Sequence, residues 1–254
     1  MKFLNKLERK YGKYAIDNIT LLLIVGYVVG YVIYLVNKDL FALMTLNPYY
    51  IMKGQVWRLF SWLLVPPSSP SIFTIIMLFF YYSLGQTLEK TWGKFKYNVF
   101  ILSGILFTIV FAVIAYFVLP KAAFDSYNIP VIYMTYGFTY IKGYVISYFV
   151  SSYYISLSIF LLFAALYPDM QVMLYFIIPI KIKWLAYLDV ALMLYQIVEG
   201  GIVCGVIVFA SLLNFLIFFV LILQGRGNTP ANAKRKRDYQ KKVYSAKYVY
   251  EGGA

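Results

Sequence analysis

The sequence predicts an all-α polytopic membrane protein, and three observations lead to this fold class. Of the 254 residues, 62% are hydrophobic and only 13% are charged, which is too apolar for a soluble globule. The mean hydropathy is +0.73. Apolar stretches separated by polar or turn-forming segments recur along the chain, and we interpret them as membrane-spanning helices. A bundle of six transmembrane helices is therefore expected.

The N-terminal segment, residues 1–18, is charged and amphipathic, and the first span follows it from Ile19 to Val36. No small-residue cleavage site follows this span, so we interpret it as an uncleaved membrane helix rather than a signal peptide. Residues 37–71 form a long loop of intermediate polarity. Because this loop is too apolar for a solvated linker, we expect it to be ordered and partly embedded.

The second span is predicted from Ile72 to Leu88 and the third from Tyr97 to Leu119, with residues 89–96 as a short charged connection. Residues 121–150 follow, and their tyrosines recur at intervals of four. This spacing forms one stripe on a helix and is typical of a helix lying in the headgroup region. The stripe consists of Tyr136, Tyr140, Tyr144 and Tyr148.

The fourth span is predicted over residues 151–169, and Pro179 to Trp184 are interpreted as a helix end at the membrane surface. The fifth span is residues 185–198, and a turn at Glu199-Gly200-Gly201 leads into the sixth, residues 202–223. The chain then becomes polar and basic, as in a flexible tail. Three regions are thus predicted: an N-terminal segment (1–18), a membrane domain (19–224) and a tail (225–254).

The formal net charge of +13 is best explained by membrane topology. With both termini in the cytoplasm, 18 of the 23 lysines and arginines lie on the cytoplasmic side, as the positive-inside rule requires. The basic tail also favours anionic lipid headgroups. Membrane lipids are therefore expected partners, and nucleic acid is not.

The chain has no histidine and a single cysteine, Cys204, in an apolar helix. A disulfide within the chain is excluded, and neither a Cys/His metal site nor a cofactor motif is indicated. Histidine-based acid–base catalysis is impossible for this chain alone. Asp189 is the sole acidic residue clearly within an apolar run, where an acid either serves function or reaches the nearby surface.

Two segments resemble motifs of the rhomboid family. The first, Gly54-Gln55-Val56-Trp57-Arg58-Leu59-Phe60, is similar to the Trp-Arg motif in the first loop of rhomboids. Residues 85–93, with Gly85, Glu89, Trp92 and Gly93, resemble the Gly-x-x-x-Glu-x-x-x-Gly end of their second span. The resemblance covers residues 50–220 and implies a rhomboid-like six-helix bundle with an embedded first loop. At the end of its helix, Glu89 is expected to be solvated or paired with Lys90 or Lys94.

Rhomboid proteases use a serine in Gly-x-Ser-Gly on the fourth helix and a histidine on the sixth. The resemblance places Ser156 at the serine and Ser211 at the histidine, with Phe73 and Met77 at the oxyanion-hole positions and Tyr154 and Leu157 at the two glycines. A serine hydroxyl cannot act as a general base at neutral pH, and an oxyanion hole without its donors is strongly weakened. The sequence thus predicts loss of proteolysis.

The resemblance implies a pseudoprotease in a bacterial cytoplasmic membrane. It would bind transmembrane segments of client proteins, as inactive rhomboid relatives do, for regulation, chaperoning or quality control. Ser156 and Ser158 then serve helix packing. One alternative is an active intramembrane serine protease in which Lys142 replaces the histidine, since Lys181 and Lys183 lie at the other end of the fourth helix. Another is a transporter or lipid scramblase, for which internal repeats and charged midplane residues are lacking.

Overall fold

The structure, a computed structural model, describes residues 2–124, 127, 136–174 and 178–227. Residues 128–135 of the tyrosine-rich segment and the tail after residue 227 lie outside this part of the chain. The helices are α1 (Lys2–Tyr11), α2 (Ile19–Val36), α3 (Lys38–Ala42), α4 (Pro48–Met52), α5 (Arg58–Ser61), α6 (Ile72–Trp92), α7 (Lys94–Val118), α8 (Phe138–Phe149), α9 (Tyr153–Leu166) and α10 (Ile182–Gly227). Two strands, β1 (Gln171–Leu174) and β2 (Ile178–Lys181), precede α10.

Five helical stretches of the described chain are long and apolar enough to cross a membrane, which supports an all-α polytopic protein. They are Ile19–Val36, Ile72–Trp92, Lys94–Val118, Phe138–Leu166 and Ile182–Leu221. Large apolar side chains on their outer faces remain exposed, as shown by Leu35 at 72% and Val36 at 81%. Such faces fit contact with lipid.

Helix α9 lies at the centre of the bundle. Every side chain from Tyr154 to Ala164 is buried, and α6, α7 and α10 pack around the helix. A helix that is apolar on all sides needs such complete coverage. Ser156 and Ser158 therefore lie in the protein core.

Helix α10 reverses direction at Gly201, whose backbone is non-helical (φ 60°, ψ −161°). A Cβ atom at Gly205 would lie 3.4 Å from Ile197 Cγ2. Eight residues of a straight helix span about 12 Å. The two arms, residues 182–200 and 202–227, therefore fold back on each other, in agreement with the turn predicted there.

The segment before α10 was predicted incorrectly. Residues 178–181 form β2 rather than a helix end, β2 pairs antiparallel with β1, and the helix begins only at Ile182. Pro179 disfavours a helix interior, and the β-branched side chains of Ile178 and Ile180 favour a strand. The Ile182 N–H donates to the Met170 carbonyl oxygen (2.9 Å), which closes this small hairpin.

The charged connection between the second and third spans is also shorter than predicted. Helix α6 continues to Trp92 and α7 starts at Lys94, so only Gly93 separates them. Its φ of 86° lies in the left-handed region that favours glycine. This sharp turn brings α6 and α7 into contact.

Candidate functional site

The first-loop motif places Arg58 inside the protein and Trp57 at its surface. Arg58 is 2% exposed, whereas Trp57 is 51% exposed. The Arg58 Nε donates to Gln55 Oε1 (2.7 Å), and Nη1 donates to the carbonyl oxygens of Ala42 (3.0 Å) and Thr45 (2.9 Å). Burial lowers the pKa of this guanidinium. Because a buried cation is costly without partners, these bonds favour one loop conformation.

The motif at residues 85–93 joins α6 to the start of α2. A Cβ atom at Gly85 would lie 2.2 Å from Thr20 Oγ1, so the absence of a side chain permits close packing of the helices. Four residues later, Glu89 Oε1 accepts from the Asn18 backbone N–H (3.1 Å). Glu89 is 7% exposed. It is thus buried at the positive end of α2 rather than solvated. Lys94 forms its ion pair with Asp17 and interacts with the Glu89 charge only at longer range.

Trp92 connects the end of the same motif to two other helices. Its ring stacks on Phe218 in the second arm of α10, with centroids 6.1 Å apart, and meets Phe100 of α7 edge to face at 6.2 Å. These aromatic contacts fix the C-terminal end of α6 against the core.

The two serines at the protease positions are not paired with each other. Ser158 Oγ, two residues after Ser156, lies 3.2 Å from the Ser211 carbonyl oxygen and 2.8 Å from that of Tyr154. The Ser211 hydroxyl bonds to the Ile207 carbonyl oxygen within its own helix (3.1 Å). Contact between α9 and α10 therefore uses Ser158, and Ser211 offers Ser156 no base.

The polar contacts around Ser211 extend along the interface between α7 and α10. Thr108 Oγ1 lies 3.5 Å from Ser211 Oγ. Asn214 Nδ2 donates to the Phe100 carbonyl oxygen (2.7 Å), and its Oδ1 accepts from Ser103 Oγ (2.7 Å). We call Ser103, Thr108, Ser158, Ser211 and Asn214 the polar seam. Such hydrogen bonds are typical of packed membrane helices.

Sequence reasoning missed Asn214, Ser103 and Thr108. The available signal was an amide side chain within an apolar run, since polar residues in membrane helices usually bond to a neighbouring helix. The cavity along the polar seam measures only about 10 Å³. That is space for one water molecule at most, and none for a substrate.

The Ser156 side chain faces a tyrosine of α2. The buried Tyr27 hydroxyl is directed toward the hydroxyls of Ser152 and Ser156, but no hydrogen bond of normal geometry joins it to either. A phenol with an ordinary pKa near 10 cannot act as a base at neutral pH.

The three candidate lysines also lie away from Ser156. Lys142 Nζ lies 5.5 to 5.9 Å from the ring centroids of Tyr116, Phe124 and Phe138. Lys181 and Lys183 pair with Asp169 at 3.4 and 3.3 Å, and these two ammonium groups lower the pKa of its carboxyl, Lys183 more strongly. The approach of Lys142 to Ser156, considered from the sequence, is not observed.

A cleft borders α6, α9 and the first arm of α10. Its upper cavity, of about 690 Å³, is lined by tyrosines, Gln196 and Glu199. The lower cavity, of about 550 Å³, is lined mainly by apolar side chains, and Ser68 and Met77 border both. We call the two together the lateral cleft. Of the predicted oxyanion positions, Phe73 lines the lower cavity and Met77 both, so they border the lateral cleft and not the polar seam.

Tyr154 separates the lateral cleft from the polar seam, because its side chain borders both the upper cavity and the 10 Å³ cavity. Its hydroxyl lies 3.4 Å from Gln196 Oε1. Cys204 is 1% exposed and lies beside this ring. Tyr154, at the position that the rhomboid resemblance assigns to a glycine, thus closes the route from the cleft to Ser158 and Ser211.

Asp189, the acid within an apolar run, is half-buried near the Tyr81 and Tyr153 hydroxyls.

Comparison with known proteins identifies the family. The model of a family described as Eukaryotic integral membrane protein (DUF1751) matches residues 18–221. No curated protein and no solved structure matches the chain. A eukaryotic family does not support the predicted bacterial membrane, so that assignment is withdrawn. The chain belongs to this family of eukaryotic integral membrane proteins.

Proposed function

We propose that the protein is a rhomboid-like pseudoprotease of a eukaryotic membrane, which binds transmembrane segments of client proteins in the lateral cleft without cleaving them. The observation that carries this proposal is that, within the part of the chain that the structure describes, no candidate base contacts Ser156, while an open cleft lies nearby. The packed polar seam occupies the position at which a protease would need a wet catalytic pocket.

Catalysis by Ser156 would require three things that the described residues do not bring together. A nucleophilic serine needs a base within hydrogen-bond reach. It needs donors aimed at the developing oxyanion, and Phe73 and Met77 provide none. It also needs room for both a peptide carbonyl and a water molecule, and the seam cavity of about 10 Å³, which Ser158 and Ser211 line, holds one water molecule at most. Each observation supports a binding function over hydrolysis.

The lower cavity of the lateral cleft suits an apolar helix. Its wall includes Phe73, Met77 and Phe80 on successive turns of α6, with Val172 and Leu185 opposite. Phe73 is 58% exposed. Large apolar side chains in a concave surface can pack against a transmembrane helix and exclude lipid. A client helix with small residues on one face would approach the wall of the lower cavity most closely.

The proposed topology has six spans, with the two arms of α10 as the fifth and sixth, and both termini in the cytoplasm. The distribution of basic residues supports this orientation. The division into an N-terminal segment (1–18), a membrane domain (19–224) and a basic tail (225–254) remains part of the proposal. Glycosylation sites introduced at Lys53 and at the C-terminus test it, since only the first is expected to be modified in the lumen.

Site-specific photo-crosslinking tests client binding. A photoreactive amino acid is placed at Phe73, at Met77 or, as a control, at Phe117, which is 62% exposed on α7 and outside the cleft. Each variant is co-expressed with a panel of tagged single-span membrane proteins. We expect full-length adducts at the two cleft positions and few at Phe117. Equal adducts at all three positions, or shortened tagged products, would overturn the proposal.

A further inference from the structure

The residues that line the upper cavity of the lateral cleft favour a cationic ligand. Among the described residues, five tyrosines, Phe149 and the single acid Glu199 border this cavity, and no lysine or arginine does. Aromatic faces attract cations through their quadrupoles, and a nearby carboxylate adds a full negative charge. The tyrosines are Tyr127, Tyr148, Tyr153, Tyr154 and Tyr195.

Elsewhere in the described chain, several aromatic faces are paired with the protein's own cations. Lys142 lies within 6 Å of the centroids of three rings, and Arg58 lies over Tyr50 at 4.8 Å. The lining of the upper cavity contains no such internal cation. Its negative and aromatic character is therefore available to a ligand.

Two of the tyrosines are held in place by their hydroxyl groups. The Tyr127 hydroxyl donates to the Gly200 carbonyl oxygen, and that of Tyr154 contacts Gln196 Oε1. Tyr195 and Tyr148 stand at the more open side, at 63% and 76% exposure. A partly preformed aromatic wall with an adaptable rim is an arrangement that suits a quaternary ammonium group.

We propose that the upper cavity binds the head group of a choline phospholipid, with the trimethylammonium group among the tyrosines and beside Glu199. A volume of about 690 Å³ is within the range of small-ligand sites. The upper cavity lies beside the apolar lower cavity, because Ser68 and Met77 line both. Acyl chains attached to the bound head group can therefore extend along the lower cavity. A client segment would occupy the same lower cavity as the acyl chains, whereas the head-group site in the upper cavity does not depend on client binding.

Lipid binding by the full-length detergent-solubilised protein tests the proposal. Native mass spectrometry would compare dioleoyl phosphatidylcholine with the ethanolamine and glycerol lipids carrying the same chains. We expect choline lipid to bind at least about fivefold more tightly than either. Equal binding of the three lipids would overturn the proposal, as would a preference for the ethanolamine lipid, which indicates hydrogen bonding instead.

Variants assign the preference to the cavity. Glu199→Gln keeps the shape but removes the charge, and Tyr195→Leu removes an aromatic face, so each should weaken choline-lipid binding about threefold to tenfold. Tyr195→Phe retains the face and should bind like the parent chain. Tyr187→Leu is the matched control, because Tyr187 is also 63% exposed on α10 but lies outside the cavity lining. Equal effects of the two leucine variants would contradict the assignment.

Discussion

The Ser158 hydroxyl lies 3.2 Å from the backbone carbonyl oxygen of Ser211, across the contact between the central helix and the second arm of α10. Both serines are buried. A hydroxyl that is bonded to a main-chain carbonyl stabilises helix packing and is not activated for attack. Ser211, which the rhomboid resemblance places at the histidine position, therefore takes part in a packing contact.

Ser156 should not react with a fluorophosphonate probe. Without a base its hydroxyl stays protonated and weakly nucleophilic, and the surrounding core leaves no route for the probe. Labelling of the purified protein would be measured by gel fluorescence, beside an active rhomboid protease as the positive control and Ser156→Ala as the blank. Signal that disappears in Ser156→Ala would show that the pseudoprotease proposal is wrong.

Substitution of Gly85 by alanine should destabilise the protein by about 1 to 3 kcal/mol, because the new Cβ atom overlaps Thr20 and forces the helices apart. Displacement of Thr20 would also weaken the hydrogen bond between its Oγ1 and the Tyr97 hydroxyl, which are 2.6 Å apart. Thermal unfolding in detergent measures the effect. Gly205→Ala is the control, since its Cβ would make only an ordinary 3.4 Å contact. Equal melting temperatures for the two variants would contradict the role assigned to Gly85.

Acid should weaken the hairpin that precedes α10. Lys183 and Lys181 lower the pKa of Asp169, so the folded state binds this proton less readily than the unfolded state. The stabilisation is therefore present above the unfolded pKa of about 4 and is lost as the pH falls through the folded value. The protection factor of the Ile182 amide, whose N–H closes the hairpin, should fall more steeply on acidification in the parent than in Asp169→Asn. Parallel pH profiles of the two proteins would show that the ion pairs of Asp169 do not stabilise the hairpin.

Much of the bundle could be predicted from the sequence, because lipid imposes strong demands on composition. A spanning helix must satisfy its own backbone and present apolar side chains, so Ile19–Val36 and the later spans stand out by hydropathy alone. The reversal at Gly201 was also predictable, since the Glu-Gly-Gly triplet interrupts an apolar run. These features depend on local sequence.

The site was harder to predict, because its geometry depends on which helices meet. Nothing local to Asn214 indicates that it bonds to Ser103 and the Phe100 carbonyl, which lie more than 100 positions away. The burial of Glu89 was missed for the same reason, because its hydrogen-bond partner is the distant backbone N–H of Asn18 at the start of α2. Pro179 to Trp184 were interpreted as a helix end at the membrane surface, whereas Pro179 and its β-branched neighbours favour the strand that residues 178–181 form.

The buried carboxylate of Glu89 gives the last prediction. Glu89→Ala removes the acceptor of the Asn18 N–H and leaves that donor unsatisfied, so we expect a loss of about 1 to 3 kcal/mol. Glu89→Gln keeps a side-chain oxygen for this bond and removes the charge near the positive end of α2, which is worth about 0.3 to 1 kcal/mol. It also places an amide NH2 where the buried Oε2 has no hydrogen-bond partner. Melting temperatures of the two variants in one detergent separate the contributions. A glutamine variant as unstable as the alanine variant would show that the charge, rather than hydrogen-bond acceptance, stabilises this junction of α2 and α6.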